Sequence, residues 1–465
     1  MKNVFTLYIA IVQFILFFIC CIGIEFRPYA SPYLFNYFFL LATLFVLWVL
    51  GKNSEKVILL NPIFMFTMFV FLFPNVSVIS LYGSQINLIG INSDILKNVV
   101  LYNYYVSLSF LVFFVCLYIR NLMHIKYKSK ILNLKRNENV RMAFVYAIFL
   151  FALLAKFILY KLGVYGAYYN LIERVVENKF YISILQSVSV LSTSMIFVIF
   201  LLSEKNRNLN YILFTADLVL NWLSLFKGVF ISGFLLYYIA LKIRGESFSF
   251  VRKFVVLITL IIGFVSIEFF RLDIQRQTDG VIQLGNLISN YTSSSESSEF
   301  NYPILERFNY LESFIESRKY IETKNLDDNI FLSNTFFFPR LLIPRFLWSE
   351  KPENNLGTVW MNNEVFGNSD FTSLAFGPIG FLSLSGGSLG VVFGFLIIGV
   401  LMAWLNSLYQ SNSIYDLLLL IIVSSVSFNL EGPFDFYVIR IFLVYFIAKF
   451  LLWFLFKGVK SQNFA

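Results

Sequence analysis

The chain has 465 residues, of which 58% are hydrophobic, 19% aromatic and only 14% charged. Soluble chains carry roughly 25% charged residues, and the mean hydropathy here is +0.74, so a soluble globular protein is excluded and a polytopic membrane protein is implied. The formal charge of +9 does not point to nucleic acid, because many of the cations flank apolar runs, where topology explains them better.

Apolar runs of about 17–25 residues mark membrane spans. In chain order they fall near 4–23, 33–50, 57–81, 99–119, 142–161, 180–202, 209–226, 228–243, 252–270, 386–408, 414–430 and 434–456, an all-α architecture of about twelve transmembrane helices. The first run is longer than a signal h-region and lacks a small-residue cleavage site, so it reads as a retained helix. Around Lys227 and Gly228 the run 209–243 reads either as two short helices or as a broken, partly re-entrant hairpin. Cys20, Cys21 and Cys116 lie inside apolar runs, which suits neither a disulfide framework nor a metal cluster.

Lys and Arg set the orientation. The loop from Arg120 to Arg141 carries Lys126, Lys128, Lys130, Lys135 and Arg136; Lys52, Lys56, Lys205, Arg207, Lys242, Arg244, Arg252, Lys253, Lys457 and Lys460 fall on the same side when the N-terminus is cytoplasmic. That is the positive-inside pattern, and an even span count places both termini in the cytoplasm. The chain then divides into spans over 1–270, a large outer loop over 271–385, and further spans with a cytoplasmic tail over 386–465. Within the loop, 289–298 reads as a Ser-rich low-complexity patch, and Ile304, Phe308, Leu311, Phe314 and Ile315 have helical spacing. An amphipathic helix there suits the membrane surface or the cover of a cavity.

Three constellations carry candidate chemistry. At the start of the loop stand Arg271, Asp273, Gln275 and Arg276. In a continuing helix Arg271 and Gln275 share a face, while Arg276 is turned about 140° away. They suit a phosphate or sugar site, or simply a helix end decorated with snorkelling cations. The second is Phe338 to Pro352, where Pro339, Pro344 and Pro352 frame Arg340, Arg345, Trp348 and Lys351. Proline limits backbone freedom and preorganises an anion clamp, and Arg is the preferred bidentate partner of phosphate. Topology does not account for these cations, since they lie on the outer side. A loop paired with Glu350 or Glu353 is the structural alternative. The third is the turn Asn429 to Tyr437 with Glu431, Asp435 and, just beyond, Arg440. It offers a general base and an orienting partner, or merely a Gly-Pro turn.

Charges inside the spans are functional candidates by default. They are Lys156, Asp217, Lys227, Glu268, Arg440 and Lys449. Asp217 and Lys227 are placed to pair with each other or with substrate, whereas Lys156 and Lys449 suit snorkelling. The lone histidine, His124, falls in the basic cytoplasmic loop, which removes histidine as an outer base. No Walker A loop, Rossmann fingerprint or zinc-ligand spacing occurs. Asp327-Asp328 is an isolated acidic pair, so no metal site is expected and cations must neutralise any leaving phosphate.

About twelve helices, cytoplasmic termini, one large outer loop before the last three spans, and arginines at its base resemble the O-antigen (Wzy-type) polymerases, the oligosaccharide repeat-unit polymerases. Pro339-Arg340, Ile343-Pro344-Arg345, Trp348 and Lys351-Pro352 look like that family's outer-loop motif, and Gly377 to Gly390 is similar to its Gly-rich entry into the next helix. The resemblance implies a GT-C-like fold in the bacterial cytoplasmic membrane. It implies metal-independent transfer of a growing glycan from undecaprenyl pyrophosphate to the non-reducing end of a new lipid-linked repeat unit, with no cofactor. Arg271, Arg276, Arg340 and Arg345 match the family's substrate-binding arginines by position, with Lys351 supporting; Asp273, Glu364, Glu431 and Asp435 are candidates for the base. The implied partners are undecaprenyl-pyrophosphate-linked oligosaccharides and membrane lipids, with a polysaccharide chain-length regulator as a candidate protein partner and no nucleic acid. An O-antigen ligase is the closest rival, although that family typically uses an outer-loop histidine. A polysaccharide flippase is the rival from another class and calls for a continuous charged cavity.

Overall fold

The computed structural model describes residues 2–26, 31–52, 58–82, 93–123, 142–162, 188–189, 191–203, 206–224, 227–246, 254–263, 265–267, 310–326, 377–411, 414–427 and 434–455, with single positions 165, 185 and 365. Regular structure among them is helical, with no strand. In chain order the helices are α1 (Lys2–Phe26), α2 (Ser31–Lys52), α3 (Pro62–Thr67), a π-helical stretch (Met68–Leu72), α4 (Phe73–Tyr82), α5 (Ser93–Met123), α6 (Met142–Lys161), α7 (Leu191–Leu202), α8 (Arg207–Leu223), α9 (Lys227–Ile243), α10 (Tyr310–Lys324), α11 (Gly377–Gln410), α12 (Ile414–Ser427) and α13 (Phe434–Leu455). Among the described residues, five stretches are long and apolar enough to cross a membrane: Leu34–Lys52, Pro62–Ile79, Lys97–Arg120, Met142–Lys161 and Gly377–Gln410. Shorter apolar helices cover Thr6–Cys21, Leu191–Leu202, Phe230–Ile243 and Phe254–Ile267. By length and composition this is a helical membrane protein.

Two compact units form, and they do not follow chain order: Met1–Asn133 joins Tyr302–Ala448, while Leu134–Asn301 joins Lys449–Ala465. In the first unit α5 is the central helix, packed on α1, α2, α10 and α11. The α3–α4 rod opens with a firm cap. Asn61 Oδ1 accepts from the Ile63 and Phe64 amides at 3.0 and 3.2 Å, and Pro62 follows where its missing N–H costs nothing. The π-helical widening lies just ahead of Pro74, whose ring would collide with the carbonyl of residue 70 in a regular helix.

Ring and hydrogen-bond contacts give the directions. Phe66 meets Phe113 (centroids 4.7 Å) and Phe71 meets Phe110 (5.1 Å), so α3–α4 runs opposite to α5. The Asn75 amide donates to the Asn36 carbonyl (2.8 Å) and Phe39 meets Phe71 (6.2 Å), so α2 also opposes α4 and runs with α5. Tyr104 pairs with Ser388 (3.4 Å), Cys116 with the Leu396 carbonyl (3.7 Å) and Arg120 with the Val400 carbonyl (3.0 Å), so the main part of α11 also runs with α5. Gly399 makes this close approach possible, because a Cβ there would stand 2.9 Å from Cys116 Sγ.

In the second unit α6 and α8 run together, with Tyr146 donating to Asn210 (2.7 Å) and Lys156 to Asp217 (2.6 Å). The 209–243 run is two antiparallel helices: Tyr211 meets Tyr237 (6.3 Å) and Phe214 meets Phe234 (5.6 Å) across α8 and α9. On α8 the polar residues Asn210, Asp217 and Asn221 are buried, while Ile212 is 65% and Val219 50% exposed. Apolar outward and polar inward is the reverse of a soluble helix and suits hydrocarbon surroundings.

α11 departs from the expected span, which starts at 386. Helix begins at Gly377 and breaks at Gly386 and Gly387; Gly387 has φ +56° and ψ −137°, a conformation that favours glycine. In a straight helix residues 382 and 394 would lie about 18 Å apart. Here the Leu382 side chain reaches within 2.3 Å of where a Gly394 Cβ would sit, and its carbonyl within 2.3 Å of a Gly390 Cβ. The arm Gly377–Ser385 therefore turns back on the helix that follows, with all its residues buried. Gly394→Leu is expected to expel the arm and lower stability by about 1–3 kcal/mol, the range for overpacking; Leu382→Ala in the same chain restores part of the loss, read by thermal unfolding in detergent.

Candidate functional site

At the break in α11 non-helical backbone meets hydroxyls from α5. Irregular backbone at membrane depth persists only where it is buried in protein or faces a water-filled cavity. A Cβ on Gly387 would lie 3.8 Å from the Tyr105 hydroxyl, and Ser388 Oγ donates to the Tyr104 hydroxyl at 3.4 Å. α10 closes over this region. Its sequence alternates an apolar stripe, Tyr310, Leu311, Phe314, Ile315 and Ile321, with exposed Glu312, Lys319 and Lys324. The stripe is buried on α5, α11 and α4, so the amphipathic helix expected at 302–320 covers protein, and its described part begins at Tyr310. Phe314 packs on the rings of Tyr102 (5.5 Å) and Tyr105 (6.1 Å). The Tyr310 ring lies 2.6 Å from where a Gly377 Cβ would sit, and Gly377 itself has φ +65°. The starts of α10 and α11 are thus in contact.

That contact bears on the expected cationic residues. Arg340, Arg345, Trp348 and Lys351 lie outside the described residues, as do Arg271, Asp273, Gln275, Arg276, Glu431, Glu268, Glu364, Asp327, Asp328 and the patch 289–298. The chain that carries Arg340, Arg345 and Lys351 nevertheless leaves from the end of α10 and re-enters at Gly377. A helix of this length spans about 22 Å, so both attachment points belong to one region of the first unit. Asp435 and Arg440 fall in the first two turns of α13, and Lys227 opens α9.

The second unit holds a buried ionic network. Lys156 is 2% exposed and Asp217 fully buried. Lys156 Nζ donates to Asp217 Oδ1 (2.6 Å) and to Asn221 Oδ1, while Asn221 Nδ2 donates to Asp217 Oδ2 (2.9 Å). The three side chains close a ring in which both carboxylate oxygens are satisfied. Lys156 was expected to snorkel; instead its head turns inward, because a carboxylate and an amide one helical turn apart on α8 meet it there. Asp217 takes Lys156 as partner, 61 residues away in the chain. Asn221 was not singled out from the sequence, although its i,i+4 spacing from Asp217 was a usable signal. Tyr165, just past α6, is also buried; burial, and secondarily the Asp217 carboxylate, push its phenol above the ordinary range.

Chemically the two sites differ. The α11 break presents hydroxyls and backbone, suited to hydrogen bonding with a polar, uncharged group. The Lys156 ring is closed on itself and acts as a cross-link between α6 and α8. No known protein family, curated protein or solved structure matches the chain.

Removing one partner of a buried ion pair leaves an uncompensated charge, at a cost of about 3–5 kcal/mol. Lys156→Met and Asp217→Leu are each expected to lower the yield of folded protein sharply. The double substitution recovers most of it, measured as the monodisperse fraction after detergent extraction.

Proposed function

We propose that the protein is a polymerase of lipid-linked oligosaccharide repeat units. In this reading it is a GT-C-like membrane glycosyltransferase of about twelve spans, of the Wzy type, with both termini cytoplasmic and segment 271–385 on the periplasmic side of the bacterial inner membrane. One observation carries it: the proline-framed cluster Arg340, Arg345 and Lys351 stands in a long polar segment of an otherwise apolar chain, where positive-inside bias does not explain it. Two features of the fold support the reading. Both flanks of the cluster, α10 and α11, attach to one region of the first unit. The shared direction of α2, α5 and α11 also agrees with their places as spans two, four and ten.

The chemistry follows from charge. An acceptor hydroxyl at the non-reducing end of a repeat unit attacks the anomeric carbon of the donor glycan. The new C–O bond forms as the bond to pyrophosphate breaks, and undecaprenyl pyrophosphate departs. Guanidinium groups of Arg271, Arg276, Arg340 and Arg345, helped by Lys351, stabilise the negative charge on the leaving group. Asp273, Glu364, Glu431 and Asp435 are the carboxylates available to take the acceptor proton. Trp348, Gln275, Arg440 and Lys227 contribute to holding substrate.

The test is reconstitution. Purified protein given an undecaprenyl-pyrophosphate-linked repeat unit is expected to make longer chains without nucleotide sugar or added metal. Transbilayer movement of the lipid with no chain growth would sink the proposal in favour of a flippase. Arg345→Ala is expected to abolish polymerisation at unchanged expression; wild-type chain lengths in that variant remove Arg345 from the site.

A further inference from the structure

The first unit contains polar atoms that its own side chains leave unanswered. Gln13 on α1, Asn36 on α2 and Ser107 on α5 are 1%, 3% and 1% exposed. Gln13 Nε2, Asn36 Nδ2 and Ser107 Oγ are buried with no hydrogen-bond partner among the described residues. Ser107 is also out of habit for this chain. Thr43, Thr67, Ser109, Ser383 and Ser385 each turn the hydroxyl back to a backbone carbonyl of their own helix, at 2.7 Å.

Contacts place the three side chains at one level. Phe17 on α1 meets both Phe35 (5.5 Å) and Tyr104 (5.8 Å), and Phe39 on α2 meets Phe110 (5.2 Å). Phe17 meets Phe35 although only four residues link Phe26 to Ser31, a span too short unless α1 runs opposite to α2, and so to α5. Gln13, one turn before Phe17, therefore stands beside the turn after Tyr104. α2 runs with α5, so Asn36, three residues before Phe39, stands beside the residue three before Phe110, which is Ser107. The levels agree to about two residues, or about 3 Å. Gln13 also continues the buried face of α1 formed by Thr6, Ala10 and Phe17.

We propose that a buried water is bound at this α1–α2–α5 seam, bridging Gln13, Asn36 and Ser107. Buried polar groups in hydrocarbon surroundings are costly unless paired. A buried water typically makes about three hydrogen bonds to otherwise unsatisfied groups, the number present here. The two amides offer N–H donors and the hydroxyl donates or accepts, so the guest must accept at least two hydrogen bonds, and a water does this while still able to donate to Ser107 Oγ. None of the three side chains is charged, which argues against an ion. The level lies within one turn of Tyr104, whose hydroxyl meets Ser388 at the α11 break, so the hydration site adjoins the irregular backbone of α11. This inference is independent of the proposed enzymatic activity.

X-ray radiolytic labelling of the full-length protein in nanodiscs tests it, because radicals born from a bound water oxidise adjacent rings that bulk reagents do not reach. Phe17 and Phe35 are expected to be labelled, while Phe113 and Phe149, equally buried, stay unlabelled. Labelling of Phe17 and Phe35 is expected to fall several-fold in Gln13→Leu/Asn36→Leu/Ser107→Ala, and in Ser107→Ala alone should the triple variant fold poorly. No labelling at Phe17 and Phe35 in the wild type, or labelling unchanged in the variants, overturns the proposal. Thermal unfolding gives an independent reading. Asn36→Leu alone is expected to lower the melting temperature by about 2–4 °C, and the triple variant to recover it, because the remaining groups no longer lack a partner. Losses that simply add across the three positions overturn the proposal.

Discussion

Hydrocarbon accepts no hydrogen bonds, and that constraint organises this protein. Every polar group placed at membrane depth must find its partner inside the bundle. The effect is plain on α8, where Asn210, Asp217 and Asn221 face inward and Ile212 and Val219 face out. On α6, Lys156 is buried while Phe151 and Leu154 are more than half exposed. The second unit is therefore specified by a few directed contacts: the Lys156–Asp217–Asn221 ring, Tyr146 with Asn210, Trp222 with Ser266, and Arg244 on the Phe200 carbonyl. Apolar packing alone would let α6 and α8 slide past one another; a closed ionic ring holds one register.

The first unit uses aromatic packing for the same end. Phe39, Phe66, Phe71, Phe110 and Phe113 interlock at ring separations between 4.7 and 6.2 Å. Four of these six ring pairs meet edge to face, which gives the contacts direction and helps fix helix orientation where the hydrophobic effect between helices is absent. Glycine does the complementary work on α11, where Gly390 and Gly394 admit Leu382 and Gly399 admits Cys116.

Much of the helical order was legible in the sequence, because a span needs a long apolar run and such runs are hard to hide. The amphipathic stripe of α10 was readable from Leu311, Phe314 and Ile315, and only its seat on protein needed coordinates. The arm Gly377–Ser385 was not readable. It is apolar, short and glycine-flanked, so composition does not separate a loop entering a helix from a helix folded back. The partner of Lys156 was equally hidden, since nothing local links it to a carboxylate 61 residues away. The cationic cluster rests on proline spacing and charge alone and lies outside the described residues, while the Gly-rich stretch Gly377 to Gly390 was visible in the sequence but its fold-back beside α10 emerged only from packing.

The discontinuity of the first unit bears on how the protein is made. Met1–Asn133 joins Tyr302–Ala448, and most of the second unit, Leu134–Asn301, lies between them in the chain. A ribosome therefore delivers α1 to α5 long before α10 and α11 exist. Throughout that interval the parts of α5 around Phe113, Cys116 and Arg120 lack the contacts that α11 later supplies. Within Leu134–Asn301, the longer segment of the second unit, the ionic ring is available as soon as α8 emerges. The ionic ring of α6 and α8 can thus close before the seam between α5 and α11, whose two sides lie far apart in the order of synthesis.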